Sequence, residues 1–192
     1  MDLVELSKEL MFKSTQKNKA PSWLLTELVI KKGIELSEKY SVRKDLVLAS
    51  LYLAHTIFDQ VWKGKVQKNH PKLSSDFVKI YLDEWRVDST DKDIIINSIE
   101  AHHDKVPTKT KIAEIVKNAE CFKFVTVEGC LIFLHELGLR GTSFEESVDK
   151  VIQKMEQKRS LLTLDDCKKE AENNCKEIEK LFKNLLKPEK TQ

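Results

Sequence analysis

The sequence contains little glycine and proline, with five Gly and four Pro among 192 residues. Collagen-like and low-complexity chains contain far more of both, so these two classes are excluded. A hydrophobic fraction of 41% is also too high for a disordered tail. The scarcity of glycine and proline, together with abundant Lys, Glu, Leu and Ile, favours helices with short connections. We therefore predict an all-α protein.

Cysteine is scarce as well, and the four cysteines form no C-x-x-C pair. Reduced thiols in a cytosolic protein fit this pattern better than disulfides or a zinc knot. The longest strongly apolar stretch, residues 46–54, is far shorter than the roughly 20 residues of a membrane span. The first eleven residues lack the unbroken apolar core of a signal peptide. We expect a cytoplasmic protein that does not interact with membranes.

Arginine contributes only four of the 33 basic residues, and the acidic residues number 31, which gives a formal net charge of +2. Arginine is the side chain that offers a bidentate fork to phosphate, whereas lysine acts as a point charge. This balance predicts no polyanionic partner, and general nucleic-acid binding is not expected.

Apolar residues recur at helical spacing along almost the whole chain. The pattern predicts helices at residues 2–16, 22–40 and 43–62, a helix opened by His70, one capped by Ser89 or Thr90, one from 110 to about 127 that continues toward 136, and one capped by Ser143. The helix at 43–62 is apolar on nearly all sides, which is typical of a helix in the middle of a domain.

The apolar register slips after Lys158, and a second pattern begins near Thr163. We interpret residues 1–160 as one helical domain and residues 161–192 as an additional C-terminal helix with a frayed end. This helix is expected either to dock on the domain or to pair with a second chain as a homodimer.

Only five histidines occur, and four of them lie where they attract attention. His55 lies in the most apolar helix, His70 opens a helix, and His102 and His103 end another. Each histidine alone is more typical of a core or helix-end position than of a metal ligand. Several histidines on helices that pack together can share one divalent cation.

In this context the sequence resembles the HD superfamily of helical, metal-dependent phosphohydrolases. The resemblance covers about residues 22–137 and rests on residues 48–59, 70–79, 95–104 and 116–120. It implies an HD-domain-like helical bundle and a late acidic ligand, for which the family has Asp and this chain has Glu120. The order of the motifs along the chain carries the resemblance more than any single motif.

Two positions depart from the family pattern. The first histidine of the family is expected near Leu25, and the Asp that normally follows the second histidine is Thr56. The remaining candidates define an altered metal site, with Asp59 one helical turn after His55. The full set of predicted ligands is His55, Asp59, His70, His102, His103 and Glu120.

This mixed nitrogen and oxygen set suits iron, manganese, zinc or nickel. Such an ion would polarise a phosphoryl oxygen and lower the pKa of water, and Lys105, Lys109 or Lys117 would neutralise a phosphate. One interpretation is a phosphohydrolase acting on a nucleotide or another small phosphorylated molecule. The other is an HD-fold binding or regulatory module that has lost catalysis, and with it the metal ion. The sequence leaves both open.

Overall fold

The computed structural model describes residues 2–16, 21–57, 69–103 and 106–185, and these residues form α-helices with no β-strand among them. The predicted all-α class is confirmed. The chain forms two compact units, Met1–Glu120 and Cys121–Gln192, and each is described by itself. The domain boundary after residue 160 stays a prediction. None of the described helices is long and apolar enough to cross a bilayer.

Unit 1 begins with three helices: α1 (Leu3–Thr15), α2 (Trp23–Lys39) and α3 (Lys44–Leu53). The predicted cap of α2 is confirmed, because the Ser22 hydroxyl accepts a hydrogen bond from the third amide of the helix. The Asp2 carboxylate caps α1 in the same way. These caps fix where the first two helices begin.

Three further helices complete unit 1: α4 (His70–Glu84), α5 (Ser89–Ala101) and α6 (Lys111–Phe122, whose last two residues fall in unit 2). His70 opens α4 as predicted, with proline in the first turn. The prediction for α5 was wrong by one residue, since its cap is Asp88, whose carboxylate accepts from two amides of the first turn. An ionised Asp at this position also interacts favourably with the helix dipole.

Helix α3 lies at the centre of unit 1, where it packs against α1, α2, α4 and α5. Leu46, Val47, Ala49 and Leu53 have no exposed surface. The predicted central position is thus confirmed, but the predicted length is wrong, because α3 ends at Leu53 and residues 54–57 form a turn. Residues 58–62 of the predicted helix lie outside the described residues.

Unit 2 begins with a break that the sequence pattern did not predict. After α6 the chain forms a short 3₁₀ helix (Lys123–Val125), and α7 (Val127–Leu139) then starts afresh. The Thr126 hydroxyl donates to the Lys123 carbonyl and accepts from the Gly129 amide. This side chain therefore ends one helix and caps the next, so the predicted continuous helix toward residue 136 was wrong.

Two long helices complete unit 2: α8 (Phe144–Ser160) and α9 (Asp165–Leu185). Ser143 caps α8 as predicted. Helix α9 packs against α7, α8 and the 3₁₀ helix through a row of fully buried side chains: Cys167, Ala171, Cys175, Ile178 and Phe182. The C-terminal helix therefore docks within its own unit, and pairing with a second chain stays a prediction. The four cysteines of the chain are all buried thiols.

Candidate metal centre in unit 1

His55 is positioned by the turn that ends α3. The chain leaves the helix at Leu53, and the Thr56 amide and hydroxyl both donate to the Leu53 carbonyl, at 3.3 and 3.1 Å. This turn is held inside the core, because His55 is 8% exposed and Thr56 is completely buried. The histidine thus enters the interior of unit 1 from a fixed backbone.

His70 and His102 face each other from opposite ends of two packed helices. His70 is the first residue of α4, His102 follows the last residue of α5, and their Nε2 atoms lie 3.1 Å apart. The two helices are also joined beside the histidines, since the Glu100 carboxylate accepts from the Ser75 hydroxyl at 2.8 Å and from the Lys72 ammonium at 3.2 Å. This contact holds the two rings together.

Glu120 supplies a carboxylate from α6. Its Oε2 lies 3.0 Å from the His55 Nε2, and its side chain is only 4% exposed. An ionised carboxylate buried to this extent requires a cationic or hydrogen-bonding partner. The position that the family resemblance assigned to the late acidic ligand therefore lies directly against His55.

His55, His70, His102 and His103 form one group of rings, which we name the histidine cluster. The rings of His55 and His70 are stacked with centroids 5.3 Å apart, and the His102 ring lies 5.1 Å from each. His103 is half-buried, with its ring 4.9 Å from His70 and 4.4 Å from His102. The structure thus brings together residues that are distant in sequence, as expected.

Three members of the cluster are close enough to share one ion. His55, His70 and His102 are all buried, and each offers a ring nitrogen that lies within 4.8 Å of the other two. Adjacent ligands at about 2.1 Å from a metal are about 3.0 Å apart in octahedral and about 3.4 Å apart in tetrahedral coordination. The observed separations of 3.1 Å for His70–His102 and 3.0 Å for His55–Glu120 are of this size.

The protonation of His102 is fixed by its surroundings. Its Nδ1 lies 2.5 Å from the Ile99 carbonyl, which can only accept a hydrogen bond, so Nδ1 carries the proton. Burial lowers the pKa of His102 well below its ordinary value, and the other three histidines of the cluster lower it further. The ring is therefore neutral and its Nε2 carries a lone pair, which is the form of histidine that metals require. The Ile99 carbonyl was not identified from the sequence.

The other predicted site residues have mixed outcomes. Asp59 and Lys105 lie outside the described residues. The amide of Lys109 donates to the Asn97 side chain, which also donates to the Pro107 carbonyl, so that Asn97 fixes the loop that leads into α6. Lys117 lies on α6 and is half-buried. A role for these lysines in binding phosphate stays a prediction.

The two departures from the family pattern are both buried. Thr56 uses its hydroxyl for the bond to the Leu53 carbonyl, and Leu25 is 3% exposed within α2. Neither residue provides an anionic metal ligand, because the Thr56 hydroxyl donates to a backbone carbonyl and the Leu25 side chain is apolar. Among the residues that the structure describes, the candidate ligands that remain are imidazole nitrogens and one glutamate.

Comparison with known proteins identifies a fold but no family. No protein-family model and no curated protein matches this chain. The chain is similar to the crystal structure of a protein from Lactobacillus plantarum, a structural-genomics target, with a TM-score of 0.72 and 12% sequence identity. The likeness covers 95% of this chain and 94% of that one. At this level of identity it establishes the helical fold alone.

Proposed function

We propose that this chain is a divergent member of the HD superfamily that hydrolyses a phosphoester bond in a nucleotide or another small phosphorylated molecule, using one divalent metal ion. The observation that carries the proposal is the group of three buried imidazoles whose ligand atoms lie within 4.8 Å of one another. Burying three imidazoles in contact is costly unless each nitrogen has a partner, and one shared cation satisfies several at once.

The residues present fit a divalent ion of the first transition series. His55, His70 and His102 would supply nitrogen ligands, and Glu120 would supply an oxygen ligand. Three neutral imidazoles and one carboxylate around a doubly charged ion leave a net charge of about +1, which favours an anionic substrate. A cation held in this way polarises a phosphoryl oxygen and lowers the pKa of water.

The surrounding helices would keep the ligands oriented. The Ile99 carbonyl fixes the tautomer of His102, and the contact of Glu100 with Ser75 holds α4 against α5. A group such as the Ile99 carbonyl, which touches a ligand rather than the metal, typically contributes about 10- to 100-fold to metal affinity. The preformed arrangement supports a site that binds its ion without a large rearrangement.

A panel of phosphoester substrates tests the proposal. Protein stripped of metal with a chelator is assayed for phosphate release from nucleotides and sugar phosphates after adding back iron, manganese, zinc or nickel. We expect turnover that depends on the metal and is lost in His102→Ala. His135→Ala is the matched control, because His135 is an exposed histidine on α7.

A second function is supported by the buried Thr56. Where the family has an aspartate, this chain has a hydroxyl engaged with its own helix end, so the ordinary metal site lacks a ligand carboxylate. An HD-fold module that binds a ligand without catalysis fits this observation. Absence of both bound metal and turnover on any substrate of the panel would favour the module, whereas metal-dependent turnover would exclude it.

A further inference from the structure

Unit 2 gathers three lysines, two of which lie next to one aromatic ring, and we name them the lysine cluster: Lys123, Lys154 and Lys158. Lys123 is 5% exposed and Lys158 is 2% exposed, which is rare for lysine in any protein. The ammonium groups of Lys123 and Lys154 lie 5.3 and 5.4 Å from the centre of the Phe124 ring. Lys154 and Lys158 are four residues apart on α8, so they share a face of that helix.

The aromatic ring in this group is held by its neighbours. The Phe133 ring of α7 packs edge-on against Phe124 with centroids 5.3 Å apart. The Cys130 thiol donates to the Phe124 carbonyl at 3.3 Å, and the Thr126 hydroxyl donates to the Lys123 carbonyl at 3.1 Å. The backbone of Lys123 and Phe124 is therefore fastened to the start of α7.

The approach of the 3₁₀ helix to α7 leaves no room for a side chain between them. A Cβ atom on Gly129 would lie 1.7 Å from the Lys123 carbonyl oxygen, a separation that no pair of unbonded atoms adopts. Glycine is required here for close backbone approach rather than for an unusual φ angle. The position of Lys123 is thus set by packing, before any ligand is present.

The ammonium group of Lys154 lies close to two other ammonium groups, those of Lys123 and Lys158. Among the described residues, no carboxylate lies within ion-pair distance of its ammonium group, whose polar contact is the Gln157 side-chain oxygen at 3.4 Å. Burial and, to a smaller extent, repulsion from Lys158 and Lys123 together lower the pKa of Lys154 from 10.5 to about 8. A cation in such a place gains more from a bound anion than an exposed lysine would.

We propose that the lysine cluster of unit 2 is a binding site for an anion that carries a phosphoryl group. A phosphate group has close to two negative charges and several acceptor oxygens, so it can accept from the Lys154 ammonium group and also gain from the positive charge of Lys123 and Lys158 beside it. Lysine binds phosphate as a point charge, without the fork geometry that arginine supplies. The Phe124 ring contacts the ammonium groups of Lys123 and Lys154 through cation–π interactions. This proposal does not depend on the metal centre of unit 1.

The test is calorimetric titration of the full-length chain, stripped of metal by a chelator, with inorganic phosphate, pyrophosphate and adenosine monophosphate at matched ionic strength. We expect binding of at least one of these probes and weakening of at least about tenfold in Lys154→Met, which removes a charged donor. If inorganic phosphate binds most tightly, the ligand of the site is a free anion. If adenosine monophosphate binds most tightly, the ligand is a phosphorylated small molecule.

Two control variants make the outcome specific. Lys150→Met removes an exposed lysine of the same helix that is paired with Glu146, and His102→Ala alters the histidine cluster; neither should change the phosphate affinity. Thermal unfolding checks the fold of each variant, and Lys154→Met should lose the stabilisation by phosphate while remaining folded. Absence of binding in the wild type, or equal affinity in Lys154→Met, would overturn the proposal. Loss of binding in His102→Ala would also overturn it, because the phosphate would then be bound in unit 1.

Discussion

Unit 1 buries imidazoles and unit 2 buries ammonium groups, and the same physical effect acts on both. Burial penalises the charged form of each group and lowers its pKa. For His102 the pKa falls well below the ordinary value of 6.5, so the ring is neutral at neutral pH. For Lys154 the pKa falls from 10.5 to about 8, so the amine still carries its proton in most molecules at neutral pH.

The two units therefore differ in the starting pKa of the side chain that they hold. A neutral imidazole presents a lone pair and suits a cation, whereas a protonated amine presents N–H donors and suits an anion. Two clusters of basic residues in one chain can thus have opposite ligand preferences. The predictions below change one cluster at a time.

The largest effect is expected from removing a ligand of unit 1. His102→Ala should weaken metal binding by more than about 100-fold, because even groups that only orient a metal ligand contribute up to that amount. Metal content measured by mass spectrometry after dialysis, together with competition against a chromophoric chelator, gives the affinity.

His135→Ala should retain the wild-type metal content, since His135 is exposed on α7. If His102→Ala also retains the metal, the ion is bound by other residues and the assignment to the histidine cluster fails.

A second large effect is expected where the 3₁₀ helix meets α7 in unit 2. Gly129→Ala places a methyl group 1.7 Å from the Lys123 carbonyl oxygen, and we expect a loss of about 2 kcal/mol or more in the free energy of unfolding. Gly138→Ala on the same helix is the control, because a Cβ there has nothing within 4 Å. The control should gain about 0.5 kcal/mol from reduced chain entropy. Equal stability of the two variants in urea denaturation would contradict the close approach described above.

An intermediate effect is expected from restoring the two family positions in unit 1. Thr56→Asp combined with Leu25→His should raise metal occupancy more than the sum of the single changes, since each added ligand helps only when the others already hold the ion. Coupling of about 0.5–3 kcal/mol is typical of residues that share a site. Additive or absent gains in isothermal titration would show that these positions do not face the histidine cluster.

A separate effect is a pH dependence of stability caused by Lys154. Its folded-state pKa of about 8 lies below the ordinary value of 10.5, so between these values the unfolded chain binds more protons and stability rises with pH. The contribution is complete above pH 10.5 and is lost as the pH falls through about 8. Lys123, Lys158 and Cys121 act on the same ammonium group.

Denaturant unfolding of the wild type and Lys154→Met across this pH range isolates the Lys154 contribution. The difference between the two proteins should change with pH in the stated direction. A difference that is constant with pH would mean that Lys154 has an ordinary pKa.

Most of the helices could be predicted from the sequence, because apolar periodicity and caps such as Ser22 and Ser143 are local signals. The errors occur where a local signal was overlooked or overridden. The apolar pattern runs through Thr126 without interruption, yet its hydroxyl ends one helix and caps the next. Helix α3 stops at Leu53 although the next four residues, 54–57, remain buried.

The two clusters differ in how far the sequence could reveal them. The convergence of His55, His70 and His102 could be expected, because the resemblance places them in a known order along the helices. The lysine cluster could not, since 33 basic residues make a surface position the default for each lysine. One signal was available, because Lys158 continues the helical stripe of Val151 and Met155 that is buried in α8.

The central claim, that unit 1 takes cations and unit 2 takes anions, is tested most directly by anomalous diffraction. One crystal of the full-length chain soaked with Mn²⁺ or Zn²⁺ and with molybdate is measured at both absorption edges. We predict a metal peak about 2.1 Å from the ring nitrogens of His70 and His102, and a molybdenum peak beside the Lys154 ammonium group. A metal peak away from the histidine cluster, or molybdate bound anywhere but the lysine cluster, would contradict the account.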